Sequence, residues 1–389
     1  LSRIKGLILL QCICLVFVAH AQVATGNINV NGSASNAITT AVPFLAISPD
    51  ARSGALGDAG VAISPDANAA YWNPSKLAFL ESNGGVSASY SPWLRQLLPD
   101  VNLAYVSYTR KLNERDAVAF SLRYFNLGTS QLYDANQVSL GTYQPVEFSM
   151  DASFARKFGE DFSLGLTVRY IQSNLSNGTI AQGQGNNGYS IAADASLYVK
   201  KPTQQFGNDA LFAYGIDVSN IGSKISYSNI GQKYFLPINL KIGAANTWYL
   251  DDINELTVTL DLNKLLVPTP PIRDNSGNII AGKDDNISVV SGILGSFTDA
   301  PGGLKEELQE ITYSPAFEYW YNKQFAVRAG YFYENPNKGN RQYLTLGSGI
   351  QYHDIDINFS YLVASQNKSP LANTLRFSLG YSFKERKQK

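Results

Sequence analysis

Ten residues, Asp161-Phe-Ser-Leu-Gly-Leu-Thr-Val-Arg-Tyr170, set the terms for the whole chain. In an extended strand Phe162, Leu164, Leu166, Val168 and Tyr170 share one face, and Ser163, Gly165, Thr167 and Arg169 share the other. Side chains of a strand alternate with period two, so the segment is apolar on one side only. The same pattern returns about a dozen times in segments of roughly nine to twelve residues, long enough to cross a bilayer at a tilt of ~45°. Its polar face is made of Gly, Ala, Ser, Thr, Asn and single charges, which suits a crowded, wet interior. The expected fold is all-β: a fourteen-stranded antiparallel transmembrane barrel whose apolar face meets outer-membrane lipid.

The fourteen candidate strands lie near 86–91, 102–110, 116–126, 147–157, 161–173, 188–199, 211–220, 234–249, 253–263, 312–322, 325–334, 341–352, 354–364 and 373–384. Their connections alternate between short turns and long loops, as in outer-membrane barrels with short periplasmic turns and longer surface loops. One break in that alternation is the eleven-residue Lys200–Ala210 connection, where a short turn is due. An even strand count returns both termini to the periplasmic side. The facing of the second strand, Asn102–Arg110, is ambiguous. Composition agrees with a barrel: charged residues are 16% of the chain against the ~25% of soluble domains, and there are 23 tyrosines to furnish aromatic girdles. Zero formal net charge offers no basis for binding nucleic acid.

Ahead of the barrel, residues 1–21 read as a secretory signal, with Arg3 and Lys5, an apolar run, and Ala19-His20-Ala21 before Gln22. Both cysteines, Cys12 and Cys14, fall within it. Residues 22–42 form a polar leader expected to be mobile. Residues 43–85 are rich in small residues, use Ser-Pro-Asp twice as a helix-start signal, and lack strand alternation. They are expected to pack as short helical pieces in the lumen, a plug. The barrel occupies 86–384 and a periplasmic tail 385–389.

Taking the apolar set as outward fixes which charges point in. They are Arg123, Arg169, Lys241, Arg328 and Arg376 against Asp151, Asp194, Asp217, Asp261 and Asp356. Buried charges are tolerated when paired and hydrogen-bonded, so ion pairs that brace the wall and hold the plug are expected. Chemistry is poorly provided for. The only histidine beyond the signal is His353, in an expected tight turn, so neither a Ser-His-Asp set nor a metal or cofactor site is expected. Asp274-Asn-Ser-Gly-Asn278 lacks EF-hand spacing and reads as turn chemistry.

The longest loop, 264–311, is unlike a solvated tip. It carries Pro301, Asp299 and the apolar residues Ile293, Leu294 and Phe297, and a helical spacing that puts Leu304, Leu308 and Ile311 on one face. Long loops with such content are usually functional. Two readings stay open, sealing of the barrel's own mouth and docking of a partner.

Two stretches resemble known families. Trp72-Asn73-Pro74 at the end of the plug, within Tyr71–Ser75, resembles the hatch motif of FadL-like fourteen-stranded barrels, with Ser75 where those have Ala. Gly295-Ser-Phe-Thr-Asp-Ala-Pro-Gly-Gly303 followed by Lys305–Glu310 resembles the PorV (LptO) family of the Bacteroidetes type IX secretion system. The resemblance runs from about Phe44 to the C-terminus. It implies a non-enzymatic protein that accompanies a translocon barrel of SprA/Sov type. Such a protein binds C-terminal signal domains of cargo and delivers them to a sortase-like attachment complex of PorU type. The FadL-like pattern alone leaves a second implication, uptake of hydrophobic small molecules.

Overall fold

The computed structural model describes residues 27–28, 34–93, 100–133, 136–175, 187–227, 232–364 and 373–383. The expected signal, about half of the leader and the tail lie outside them. Fourteen strands form the wall: β1 Gly84–Pro92, β2 Asn102–Lys111, β3 Asp116–Asn126, β4 Val146–Lys157, β5 Phe162–Asn174, β6 Gly188–Gln205, β7 Asn208–Gly222, β8 Asn239–Tyr249, β9 Asn254–Leu265, β10 Thr312–Tyr321, β11 Phe325–Tyr333, β12 Gln342–Tyr352, β13 Ile355–Ala364 and β14 Leu375–Ser382. Each pairs antiparallel with the next, and Phe377 to Ser382 of β14 pair with Tyr90 to Gly85 of β1 to close the ring. Closure leaves no unpaired edge, which a sheet in hydrocarbon requires. No helix among the described residues is long and apolar enough to cross a membrane.

Facing follows the alternation. On β5, Leu164, Leu166, Val168 and Tyr170 are exposed on the outside while Ser163, Thr167 and Arg169 are buried within. The ambiguous β2 has Val106 and Tyr108 outside but Leu103 and Tyr105 inside. Its inward apolar pair packs in the lumen, Tyr105 edge-on to Tyr71 at 6.4 Å, which is why its two faces look alike in sequence.

Three expectations need correction. The Lys200–Ala210 connection is a hairpin tip: β6 runs on to Gln205, β7 begins at Asn208, and Phe206 and Gly207 turn with φ of 54° and 81°. Two left-handed residues make a primed two-residue turn, so short and long connections alternate without a break. This hairpin projects beyond β5, whose pairing with β6 ends at Val199 opposite Phe162, so its polar tip carries no lipid-facing pattern. The strand expected from residue 234 begins only at Asn239, because Tyr234 bridges back to Ile225 and Phe235 to Ile238 fold into the mouth. Finally, the leader is not loose throughout. Asn36 bonds to Asn337 at 2.9 Å and Ala41 to Phe235 at 2.9 Å, all at the long-loop mouth. Phe383 bonds to Gly84 at 2.8 Å at the opposite, short-turn mouth. The two ends of the described chain therefore do not share one side.

Between those mouths, residues 43–83 fill the lumen. Short helical turns at Pro43–Ala46, Ala51–Gly54, Ala69–Trp72 and Pro74–Phe79 are buried almost throughout. Asp50, from the first Ser-Pro-Asp, caps Ala51–Gly54 by accepting from the Ser53 amide at 2.9 Å. Plug and wall approach backbone to backbone: a Cβ on Gly330 of β11 would lie 2.2 Å from the amide nitrogen of Gly57. Gly330→Val is thus expected to destabilise the plugged barrel by about 1–3 kcal/mol or more. Gly295→Ala, where nothing lies within 4 Å, should leave it unchanged. Denaturant midpoints in detergent check both.

Candidate functional site

Two regions concentrate the polar chemistry, the plug–wall contact and the long-loop mouth. In the first, register places opposite charges side by side. Asp151 faces Arg169 across β4 and β5, Asp217 faces Lys241 across β7 and β8, and Glu318 faces Arg328 across β10 and β11. Arg169 donates to Asp151 at 2.7 Å and to Asp194 at 2.9 Å, and also reaches Asn220. Lys241 joins Asp217 at 3.1 Å and the Tyr71 carbonyl of the plug at 3.3 Å.

Several wall charges reach the plug backbone directly. Asp261 accepts the Gly60 and Val61 amides at 2.7 and 2.9 Å. Arg123 donates to the Leu45 carbonyl at 2.9 Å and lies 4.5 Å from the centre of the Tyr71 ring. Arg376 reaches Asp58 at 3.2 Å. Asp356 is half-buried and accepts from Asn358 at 3.1 Å rather than meeting a cation.

The sequence reading missed the strongest pairing. Arg52 of the plug donates through Nε and Nη2 to Glu318 at 3.0 and 2.8 Å, a two-pronged fit of guanidinium to carboxylate. The same carboxylate takes Arg328 at 2.5 Å. A usable signal was present, because Ser314, Ala316 and Glu318 share the inward parity of β10. Arg52 offered none, lying in a segment without strand period.

The hatch-like motif anchors the plug from within. Trp72 donates to Asp50 at 2.6 Å. Asn73 donates to the carbonyls of Val61 and Leu197, at 3.1 and 3.0 Å, and so ties plug to wall. Pro74 opens the following turn, whose Ser75 amide reaches Ser196 at 3.0 Å.

At the long-loop mouth, residues 266–311 carry two helices, α1 Val289–Gly295 and α2 Leu304–Gln309. The loop's inner side closes the barrel: Leu266 and Val267 are buried in the mouth cluster, with Ile287, Val289 and Ile293 packed on them. Asp299 is buried as well, accepting the Thr269 amide at 3.3 Å, and Pro301 is half-buried. Ile293 and Asp299 therefore hold the loop rather than face outward.

The outer side is apolar. Leu294 and Leu304 are each 73% exposed, and Val290, Phe297 and Leu308 are exposed with them. Helix α2 is turned inside out, its leucines in solvent and its glutamates beneath. Glu307 meets Lys264 at 3.0 Å, Glu306 meets Lys338 at 2.6 Å, and Glu310 meets both lysines. The loop is latched to the mouth by charge, leaving its greasy side uncovered.

Elsewhere the candidate chemistry resolves into turns. Asp274 accepts the amides of Ser276 and Asn278 at 2.9 and 2.8 Å. His353 sits in the β12–β13 turn, edge-on to Tyr352.

The family described as "Type IX secretion system protein PorV" matches residues 30–272, more than half of the chain. The chain belongs to the PorV family. That places it among type IX secretion components, and its barrel is of the FadL-like kind. The monoaromatic hydrocarbon channel CymD is similar in structure at 13% identity with a TM-score of 0.50, covering 87% of this chain and 98% of that one. The Pseudomonas putida toluene transporter TodX is 12% identical with a TM-score of 0.47, covering 85% and 96%. At 13% identity the likeness to CymD speaks for the fold alone. No curated protein sequence matches this PorV-family chain.

Glu318→Ala would strand Arg52 and Arg328 without their shared carboxylate, and should cost about 3–5 kcal/mol in unfolding free energy. Arg273→Ala, which breaks the exposed pair with Asp285, should cost under about 1 kcal/mol. Chemical denaturation in detergent compares them.

The latch also predicts a pH dependence. Burial works to raise the Glu306 pKa, but the Lys338 ammonium, Asn36 and the Gly302 amide outweigh it and hold it below the ordinary 4.5. A depressed carboxylate stabilises fully above its unfolded value and loses that contribution as pH falls through the folded one. Amide exchange in α2 should therefore stay slow from neutral pH to near 4.5 and quicken, after correction for intrinsic rates, below it.

Proposed function

We propose that this chain is a non-enzymatic outer-membrane docking protein of type IX secretion. Its long-loop mouth faces the cell exterior and seats a translocon barrel of SprA/Sov type. There it receives the C-terminal signal domains of cargo and passes them to a PorU-type attachment complex. The observation that carries this reading is the inverted helix α2. Contiguous exposed apolar side chains mark interaction sites, and here buried ion pairs hold Leu304 and Leu308 outward. Leu294, Phe297 and Val290 extend the same kind of surface from α1.

Passage of hydrophobic small molecules is the second reading, since CymD, a barrel of similar fold, is named a monoaromatic hydrocarbon channel. The lumen of this chain is instead lined with paired charges that seat a plug, which favours docking over conduction.

Leu294→Glu with Leu304→Glu should leave barrel stability within about 0.5 kcal/mol, since both side chains are exposed. Recovery of the translocon with the protein from solubilised outer membrane should fall about tenfold or more, and surface display of cargo with it. Unchanged recovery and display would remove the loop from the docking account.

A further inference from the structure

The leader crosses the mouth before it enters the barrel. Asn36 donates its amide to Asn337 at 2.9 Å, and its side chain donates to the Pro270 carbonyl at 3.1 Å and to Glu306 at 3.0 Å. Five residues on, the Ala41 amide donates to Phe235 at 2.9 Å. One short segment thus touches three long connections, 223–238, 266–311 and 334–341. Ala41 and Val42 are buried in the cluster on which Ile287, Val289 and Ile293 of the docking loop rest.

At Val42 the chain turns down into the lumen with φ 46° and ψ 52°. A β-branched residue in the left-handed region is a strained exception, and the proline that follows disfavours bent backbone before it. Such a conformation persists only where its surroundings over-determine it. Full burial of Val42 in the mouth cluster supplies that constraint.

We propose that Asn36–Val42 is a strap. It lies on the same side as the docking loop, opposite the C-terminal strand end, and pins α2 to the mouth. The strap makes the plug and the docking loop one mechanical unit. It deepens the docking reading above, because Asn36 fastens the very helix whose outer face that reading uses.

Sidedness is tested with single cysteines at Thr39, which is exposed on the strap, at Leu304 on the loop and at Asp251 in a short turn. A membrane-impermeant maleimide is applied to intact cells and again after the outer membrane is opened. Thr39→Cys and Leu304→Cys should label together in intact cells, and Asp251→Cys only after opening. If Thr39→Cys instead follows Asp251→Cys while Leu304→Cys labels from outside, the strap is refuted. If Thr39→Cys and Leu304→Cys both wait for opening, the strap stands and the outward-facing docking loop fails.

Pinning is tested by hydrogen exchange on the full-length protein carrying Asn36→Ala. Amides of residues 304–309 should exchange about five- to tenfold faster, with barrel strands unchanged as reference. Equal protection of α2 in variant and parent would overturn the pinning.

Discussion

Backbone amides and carbonyls have no water to bond in hydrocarbon, so strands with one greasy face must close into a ring. Fourteen of them enclose more space than inward side chains of Ser, Gly and Thr can fill. That surplus governs the rest of the molecule. A plug of some forty residues takes up the space, and because it is short helical turns rather than sheet, its own polar backbone needs partners. Inward charges of the wall provide them, Asp261 for the amides of Gly60 and Val61 and Arg123 for the carbonyl of Leu45. Charge is the right material for this contact. It reaches across gaps, and removing one member of a buried pair strands the other.

The same economy of materials operates at the mouth with the opposite outcome. A loop that only sealed the barrel would turn leucines inward and glutamates to water. Here Lys264 at the end of β9 and Lys338 in the neighbouring loop draw in Glu306, Glu307 and Glu310, and the leucines are left outside. Sealing and exposure are therefore two faces of one loop: Val289 and Ile293 pack on the mouth cluster while Leu294 and Leu304 stay exposed.

Much of this was legible in the sequence for a simple reason. Period two is imposed by lipid on one side and a polar lumen on the other, and the fourteen segments keep it. Where lipid stops dictating, legibility stops. Lys200 to Gln205 project past the neighbouring strand, and their pairing could not be seen in their pattern. Leu103 and Tyr105 blurred the facing of β2 because the plug offers them an apolar neighbour inside. Glu318 was within reach by parity, but its partner Arg52 was not, since nothing in a small-residue segment announces which wall it will meet. In the loop, apolar content marked the region, while the division into inward Ile293 and Asp299 and outward Leu294 and Leu304 depended on groups distant in sequence: the mouth cluster for Ile293, Thr269 for Asp299 and the two lysines for α2.

Closure of the lumen by the charge-seated plug is the claim on which docking, rather than conduction, depends. Reconstitution of the purified protein in planar bilayers, with single-channel recording at physiological salt, tests it directly. The account predicts no sustained conductance steps. Steady openings of the size given by an unobstructed barrel of this width would contradict it.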